Sequence, residues 1–285
     1  PLTNISSEDG KLKTEEYEGR TAIFSGKESE YLQFTVDVPE TGMYELVLDY
    51  YLVPGESDRG KRILYIDGEI PFEECSGITI FRYFRDAGEP VVNSVGDETR
   101  PAQEEIPGWR TQALEDTTGL YVQPFTFALE KGKHTIQLIY NKMDMYISGI
   151  RLEAPREVKS YAEVYAEYQA NGYKEVEVEK TVFQAELNTL EKNDIILRRD
   201  NDGDPLVEPA SSKNRKMNII GGNRWRQGNQ AITWEFEVPE DGLYKIAMYV
   251  KQNYNDGIPS YRQIAIDGTV PFEELLEYQF DYETR

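Results

Sequence analysis

The sequence predicts an all-β protein: two antiparallel jelly-roll β-sandwich units joined by a helical linker, the second unit incomplete. Three observations lead there. One segment of the chain repeats without a gap, short stretches alternate apolar and polar residues with period two, and one stretch between the repeats has helical spacing. The expected divisions are 1–155 for the first sandwich, 156–178 for the helical linker and 179–285 for the second sandwich.

The repeat sets Tyr31–Glu74 on Ala231–Glu274, each residue aligning with its own number plus 200. About 13 of about 44 positions are identical, and they fall where backbone geometry is demanding. Val38-Pro39-Glu40 with Gly42 and Tyr44 recurs as Val238-Pro239-Glu240 with Gly242 and Tyr244, which reads as strand, tight turn and strand. Ile66-Asp67-Gly68 recurs as Ile266-Asp267-Gly268, a strand closing on an Asp-Gly turn. Arg62 recurs as Arg262, and Pro71-Phe72-Glu73-Glu74 as Pro271-Phe272-Glu273-Glu274.

Period-two alternation places Leu32, Phe34, Val36 and Val38 on one strand face and Ile232, Trp234, Phe236 and Val238 on its counterpart, so Trp234 is expected in a core. Further strands are expected over Leu120–Leu129, His134–Tyr140 and Met145–Leu152. Ser160 and Glu163 read as a capping box, followed by a stripe of Tyr161, Val164, Tyr165 and Tyr168 and then Gly172 as the stop. The stripe reads as packing. After Glu274 the second unit is short of strands that the first unit has. The expectation is therefore a longer polypeptide, or another element that completes the second sandwich.

A net charge of −21 repels phosphate backbones and anionic lipid heads, which sets aside nucleic-acid and membrane-surface partners. No apolar run approaches the roughly 18 residues of a membrane span. Cys75 is the single cysteine, so no intramolecular disulfide can form. His134 is the single histidine and there is no G-x-S-x-G elbow, P-loop or dinucleotide fingerprint. Acids are too numerous for their count to mark a glycosidase pair. The loop Asp200-Asn201-Asp202-Gly203-Asp204 spaces carboxylates as calcium loops do, but lacks the glycine and distal glutamate of an EF-hand.

Aromatic residues beside polar ones in loops are better candidates, because a ring covers the C–H face of a sugar while amides and guanidinium groups hydrogen-bond it. These are Trp109 and Arg110, Asn141 between two predicted strands, Trp225 and Arg226, and Gln252, Asn253 and Tyr254.

The jelly-roll pattern resembles the galactose-binding-like superfamily, which includes many carbohydrate-binding modules. More narrowly, the chain resembles the N-terminal accessory region of large extracellular solute-binding proteins that serve ABC-type sugar importers of Gram-positive bacteria. The residues that carry this are Thr99-Arg100-Pro101 with Trp109, Pro124–Phe127, Gly132–Ile136, Gln184-Ala185-Glu186, Asn218–Gly222 with Trp225, Ile232-Thr233-Trp234, and Tyr261-Arg262 with Ile266-Asp267-Gly268. The resemblance implies a non-catalytic region, extracellular or anchored at the cell surface, that binds oligo- or polysaccharide and precedes a solute-binding domain in the same polypeptide. Modules of that type often carry a structural calcium, and Glu186 resembles its early-strand ligand; Asp200, Asp202 and Asp204 are weak candidates from their alternate spacing alone. Ser148 stands where such modules often have aspartate, which departs from the pattern in the first unit. The alternatives are a structural spacer of the same protein, a module appended to a polysaccharide-degrading enzyme, and a glycosidase with two facing carboxylates.

Overall fold

The computed structural model describes residues 5–7, 14–27, 31–55, 59–177, 179–254 and 256–283. They form two compact units, Pro1–Pro155 with Gln184–Glu235, and Arg156–Phe183 with Phe236–Arg285. This partition differs from the three contiguous ranges expected from sequence: residues 184–235 belong with the first sandwich.

The strands of the first unit, numbered along the chain, begin with β1 (Ile5–Ser7), β2 (Thr14–Tyr17), β3 (Arg20–Ser25), β4 (Tyr31–Val38), β5 (Gly42–Leu52), β6 (Arg59–Ile66) and β7 (Ile78–Phe81). Next come β8 (Phe84–Asp86), β9 (Val91–Val92), β10 (Glu98–Thr99), β11 (Gln103–Glu105), β12 (Trp109–Ala113), β13 (Thr126–Leu129), β14 (Gly132–Lys142) and β15 (Met145–Glu153). The later segment adds β16 (Thr189–Lys192), β17 (Arg199–Asp200), β18 (Ile219–Ile220) and β19 (Ile232–Trp234). The second unit holds helix α1 (Tyr161–Ala170), β20 (Ser260–Arg262) and β21 (Tyr278–Phe280).

The first unit is a β-sandwich. One sheet runs β1-β4-β14-β6-β7, and the other β12-β5-β15-β3-β2 with β13 also pairing β5. Its ladders are antiparallel. Alternation makes the core: Leu32, Phe34 and Val38 from β4, Leu64 from β6, Ile136 and Leu138 from β14 face Leu46, Leu48 and Tyr50 from β5 and Ile147 from β15. Each such aliphatic side chain contributes roughly 1.5–3 kcal/mol by leaving water. The strand expected over Leu120–Leu129 is shorter than its apolar run implied. The strand proper is Thr126–Leu129, preceded by an isolated bridge of Pro124 to Glu115, while Leu120 and Tyr121 are exposed. Asp116 is the reason: its carboxylate accepts the amides of Thr118, Leu120 and Tyr121 and curls the chain into a loop.

Residues 184–235 extend the unit through a four-stranded sheet, β11-β8-β16-β19. The buried Lys192 ammonium donates to Asp86 Oδ1 at 2.8 Å and Gln103 Oε1 at 2.7 Å. Arg199 meets Asp86 and Glu89, each at 2.8 Å. A charge buried this deeply is tolerated because it is paired.

The Asp67-Gly68 turn adopts left-handed backbone at both residues, with φ of 52° and 84°. The Asp67 carboxylate accepts the Thr135 amide at 2.8 Å and lies 2.6 Å from His134 Nδ1; His134 Nε2 donates to the Glu130 carbonyl at 2.8 Å. Hydrogen bonds donated to the Asp67 carboxylate and the Glu130 carbonyl raise the His134 pKa. For Asp67, burial pushes upward, but the Thr135 amide and His134 outweigh it and the net direction is down. The histidine's contribution is present below its unfolded pKa and lost as pH rises through the folded one. The aspartate's is present above its unfolded pKa and lost as pH falls through the folded one. Asp67→Asn, which tolerates the same backbone, is therefore expected to lower the melting temperature most between about pH 4 and 6.5. Melting curves across pH 3–9 check this, and a deficit independent of pH would refute it.

In the second unit α1 starts as expected, with both halves of the Ser160–Glu163 capping box in place. It is shorter than the expected linker and stops before Gly172, whose φ is 80°. Val164 is buried and Tyr161 packs on Phe272 at 4.9 Å. The repeat survives bond by bond. Tyr44 OH donates to the Glu40 carbonyl at 2.8 Å and Tyr244 OH to that of Glu240 at 2.6 Å. Asp267 and Gly268 repeat the positive φ values, at 50° and 75°. The expected core face is not formed along its full length: Ile232 is buried and Trp234 half-buried, but Phe236 and Val238 are exposed.

Candidate functional site

The outer face of the β12-β5-β15-β3 run carries a row of aromatic rings. Directly paired residues share a face, and the ladders align Trp109 with Tyr51, Tyr51 with Tyr146, and Tyr146 with Phe24. One residue along, Arg110, Tyr50, Ile147 and Ile23 point the opposite way. Tyr50, Ile147 and Ile23 are core residues.

The rings hold each other. Tyr51 meets Trp109 edge-on at 5.7 Å, Phe24 meets Tyr146 at 5.3 Å, and Tyr17 stacks on Tyr146 at 3.7 Å while meeting Tyr51 edge-on at 5.1 Å. Tyr51 is buried by its neighbours; Tyr17, Phe24, Trp109 and Tyr146 are half-buried. The Trp109 Nε1–H donates to the Glu18 carbonyl at 3.0 Å, which fixes the indole, and the exposed Arg20 guanidinium lies 5.2 Å from its ring centre.

A polar row borders the rings. Thr111 Oγ1 donates to Asp49 at 2.6 Å, and Arg151 pairs with the other oxygen of the same carboxylate. Gly149, at the register shift after Ile147, leaves room for it, since a Cβ there would lie 3.2 Å from Asp49 Oδ2. An exposed ring edge beside charged and hydroxyl groups can hold a sugar ring by stacking and hydrogen bonding. A recess lined by Tyr83, Glu105, Gly108 and Arg110 among others has a volume of ≈ 10 Å³, room for about one water. A ligand here lies on an open surface.

The other residues expected from sequence lie in separate surroundings. Arg110 turns to the opposite face, stacks on Tyr83 at 4.1 Å and pairs with Glu191 at 3.0 Å. Asn141 is exposed at the bulge of β14, in the other sheet. Trp225 is half-buried, with its Nε1–H donating to the Gln230 carbonyl at 3.0 Å and its ring 6.2 Å from Trp234. Arg226 is exposed while its amide donates to Gln230 Oε1 at 2.8 Å. In the second unit Gln252 braces its own loop by donating to the Ile258 carbonyl at 2.6 Å, beside exposed Asn253 and Tyr254. Tyr17, Phe24, Tyr51 and Tyr146 were absent from the sequence candidates. The phase of the alternation marks Tyr51 and Tyr146 as outward, opposite to Tyr50 and Ile147; strand order, which brings them to Trp109, has no local signal.

The acidic loop is committed elsewhere. Asp200 pairs with Arg100, Asp202 accepts the Asp204 amide at 2.9 Å, and Asp204 accepts the Leu206 amide at 3.0 Å. Glu186 is buried, and burial raises its pKa. Among the described residues no three of His, Cys, Asp and Glu converge as a metal site. Burial, helped by the neighbouring Asp116 carboxylate, pushes the Glu115 carboxyl up to about 7. Asp116 is held below its usual range: burial opposes, and the amides and hydroxyl of its loop prevail. Burial also pushes the Cys75 thiol up to about 12, so it is no thiolate nucleophile.

The fold and this surface define a β-sandwich unit with an aromatic row on one outer sheet face. No protein-family model matches the chain, and no curated protein matches it. Solved structures do. One is a native family 35 carbohydrate binding module from Clostridium thermocellum, at 14% identity and TM-score 0.31, covering 53% of this chain and 96% of that one. Another is CBM35 from Paenibacillus barcinonensis, at 12% identity and TM-score 0.31, covering 53% and 94%. A third is a GH26-CBM35 β-(1,4)-mannanase from Podospora anserina, at 14% identity and TM-score 0.29, covering 60% of this chain and 32% of that one. No helix among the described residues is long and apolar enough to cross a membrane.

Proposed function

We propose that this chain is a non-catalytic carbohydrate-binding accessory region of an extracellular, surface-held sugar-uptake protein, acting beside a solute-binding domain of the same polypeptide. The observation that supports it is the aromatic row Trp109–Tyr51–Tyr146–Phe24 with Tyr17 and Arg20 on an open sheet face. Its ligand is an oligo- or polysaccharide, held by stacking on the rings and by hydrogen bonds to the Asp49, Thr111 and Arg151 border. No bond is made or broken. Open sites bury little area and bind weakly, so an extended glycan that spans several rings is favoured over a monosaccharide. Attachment to a polysaccharide-degrading enzyme is the same binding chemistry in another polypeptide.

A second reading, a structural spacer, draws on one observation: the indole N–H groups of Trp109 and Trp225 are both satisfied by backbone carbonyls, as packing residues would be. The two readings separate on a glycan array probed with the intact chain. The carbohydrate reading expects retention of a set of extended glycans at micromolar to millimolar protein. No retention by a folded sample would leave the spacer.

A further inference from the structure

We propose that the exposed apolar segment 246–250 of the second unit, the repeat's counterpart of β5, together with the open edge of β20 seats an antiparallel pair of β-strands with the chemistry of Gly132–Glu153. The internal repeat identifies the occupant. The register Gly60↔Ile80, Lys61↔Thr79, Arg62↔Ile78 of β6 on β7 is reproduced by Ser260↔Phe280, Tyr261↔Gln279, Arg262↔Tyr278 of β20 on β21. Arg62 Nη1 donates to the Lys61 carbonyl at 2.8 Å, and Arg262 Nη1 to that of Tyr261 at 2.7 Å. The second unit therefore holds the counterparts of β6 and β7 in the same geometry.

The first unit shows what such strands carry on their other edge. β14 runs along β6, with Ile136 opposite Ile66 and Leu138 opposite Leu64. β15 runs along β5, with Ile150 opposite Leu48 and Leu152 opposite Leu46. There Leu46, Leu48 and Tyr50 are 0%, 1% and 0% exposed; their counterparts Ile246, Met248 and Val250 are 59%, 48% and 49% exposed. Val38 and Val238 differ likewise, at 1% and 51%. Among the described residues the second unit's strand ladder is β20 on β21, with isolated bridges at Glu175–Leu243 and Ile266–Thr269. An apolar face with an open strand edge is a template for strand addition. The occupant has inward apolar residues at alternate positions, as Ile136, Leu138, Met145 and Ile147 are in the first unit, and a tight turn between its strands.

The test adds a synthetic peptide of the sequence Gly132–Glu153 to the full chain and follows backbone amide exchange. Protection over 244–250 and 264–266 is expected to rise by at least ~10-fold, with protection of the first unit unchanged. A control peptide carrying Ser at the positions of Ile136, Leu138 and Ile147 is expected to have no effect. Ile246→Asp with Met248→Asp in the full chain is expected to abolish the gain while leaving the first unit's protection intact. No gain in protection, or an equal gain with the control peptide, overturns the proposal. So does sedimentation showing that two copies of the chain already cover the face between them.

Discussion

Arg62→Leu is expected to lower the melting temperature of the first unit by roughly 6–20 °C, from a loss of about 3–5 kcal/mol. Arg62 is fully buried, and its guanidinium donates to the carbonyls of Lys61, Lys142, Met143 and Ser25 at 2.8, 3.0, 2.9 and 2.8 Å. Nε also reaches Ser25 Oγ at 3.3 Å, and the Tyr140 ring lies 5.2 Å from the guanidinium carbon. One side chain thus ties the end of β3, the β14–β15 turn and β6 together. Burial draws its pKa down to about 10, so it stays charged at neutral pH and its donors all count. Leucine fills part of the volume but takes the donor from four carbonyls, that of Ser25 buried and the others part-buried; a buried acceptor left unpaired costs about 1–3 kcal/mol. Lysine keeps the charge and loses the fork, so Arg62→Lys should fall between. Differential scanning calorimetry decides it; a loss near zero for the leucine variant would show that water satisfies those carbonyls equally well.

Trp109→Ala is expected to weaken glycan binding by at least ~10-fold, the loss of roughly 1.4 kcal/mol or more of contact. Trp109 lies at the start of β12, half-buried and outside the core, so the sandwich should persist and the loss should be one of affinity. Tyr146→Ala should act in the same direction, because Tyr146 supports Tyr17 and Phe24 as well as lying in the row. Trp225→Ala should leave affinity unchanged, since that ring packs against Trp234 of β19, away from the aromatic row. Isothermal titration with circular dichroism as a fold control distinguishes these; equal losses at Trp109 and Trp225 would contradict the assignment to one face.

Local chemistry was legible in the sequence and long-range pairing was not. The capping box at Ser160 and Glu163, the Asp67-Gly68 and Asp267-Gly268 turns and the alternation in β4 and β14 each depend on neighbours a few residues apart. The extent of the first unit depends on Lys192 meeting Asp86 and Arg59 meeting Asp194, pairs separated by about a hundred residues or more with no mark in either segment. The same holds for the candidate site. Trp109 stood out by composition, but its partners are tyrosines indistinguishable in type from the buried Tyr50. Only the strand order β12-β5-β15-β3 lines them up. Sequence adjacency groups Arg110 with Trp109, but in a strand adjacent side chains point to opposite faces.

Backbone and indole chemical-shift mapping during titration with an array-selected glycan shows whether the glycan sits on the aromatic row. Shifts are expected to concentrate at residues 17–24, 49–51, 109–111 and 146, with the Trp109 indole among the largest. Shifts concentrated at Trp225 and Arg226, or at Gln252–Tyr254 of the second unit, would contradict that placement.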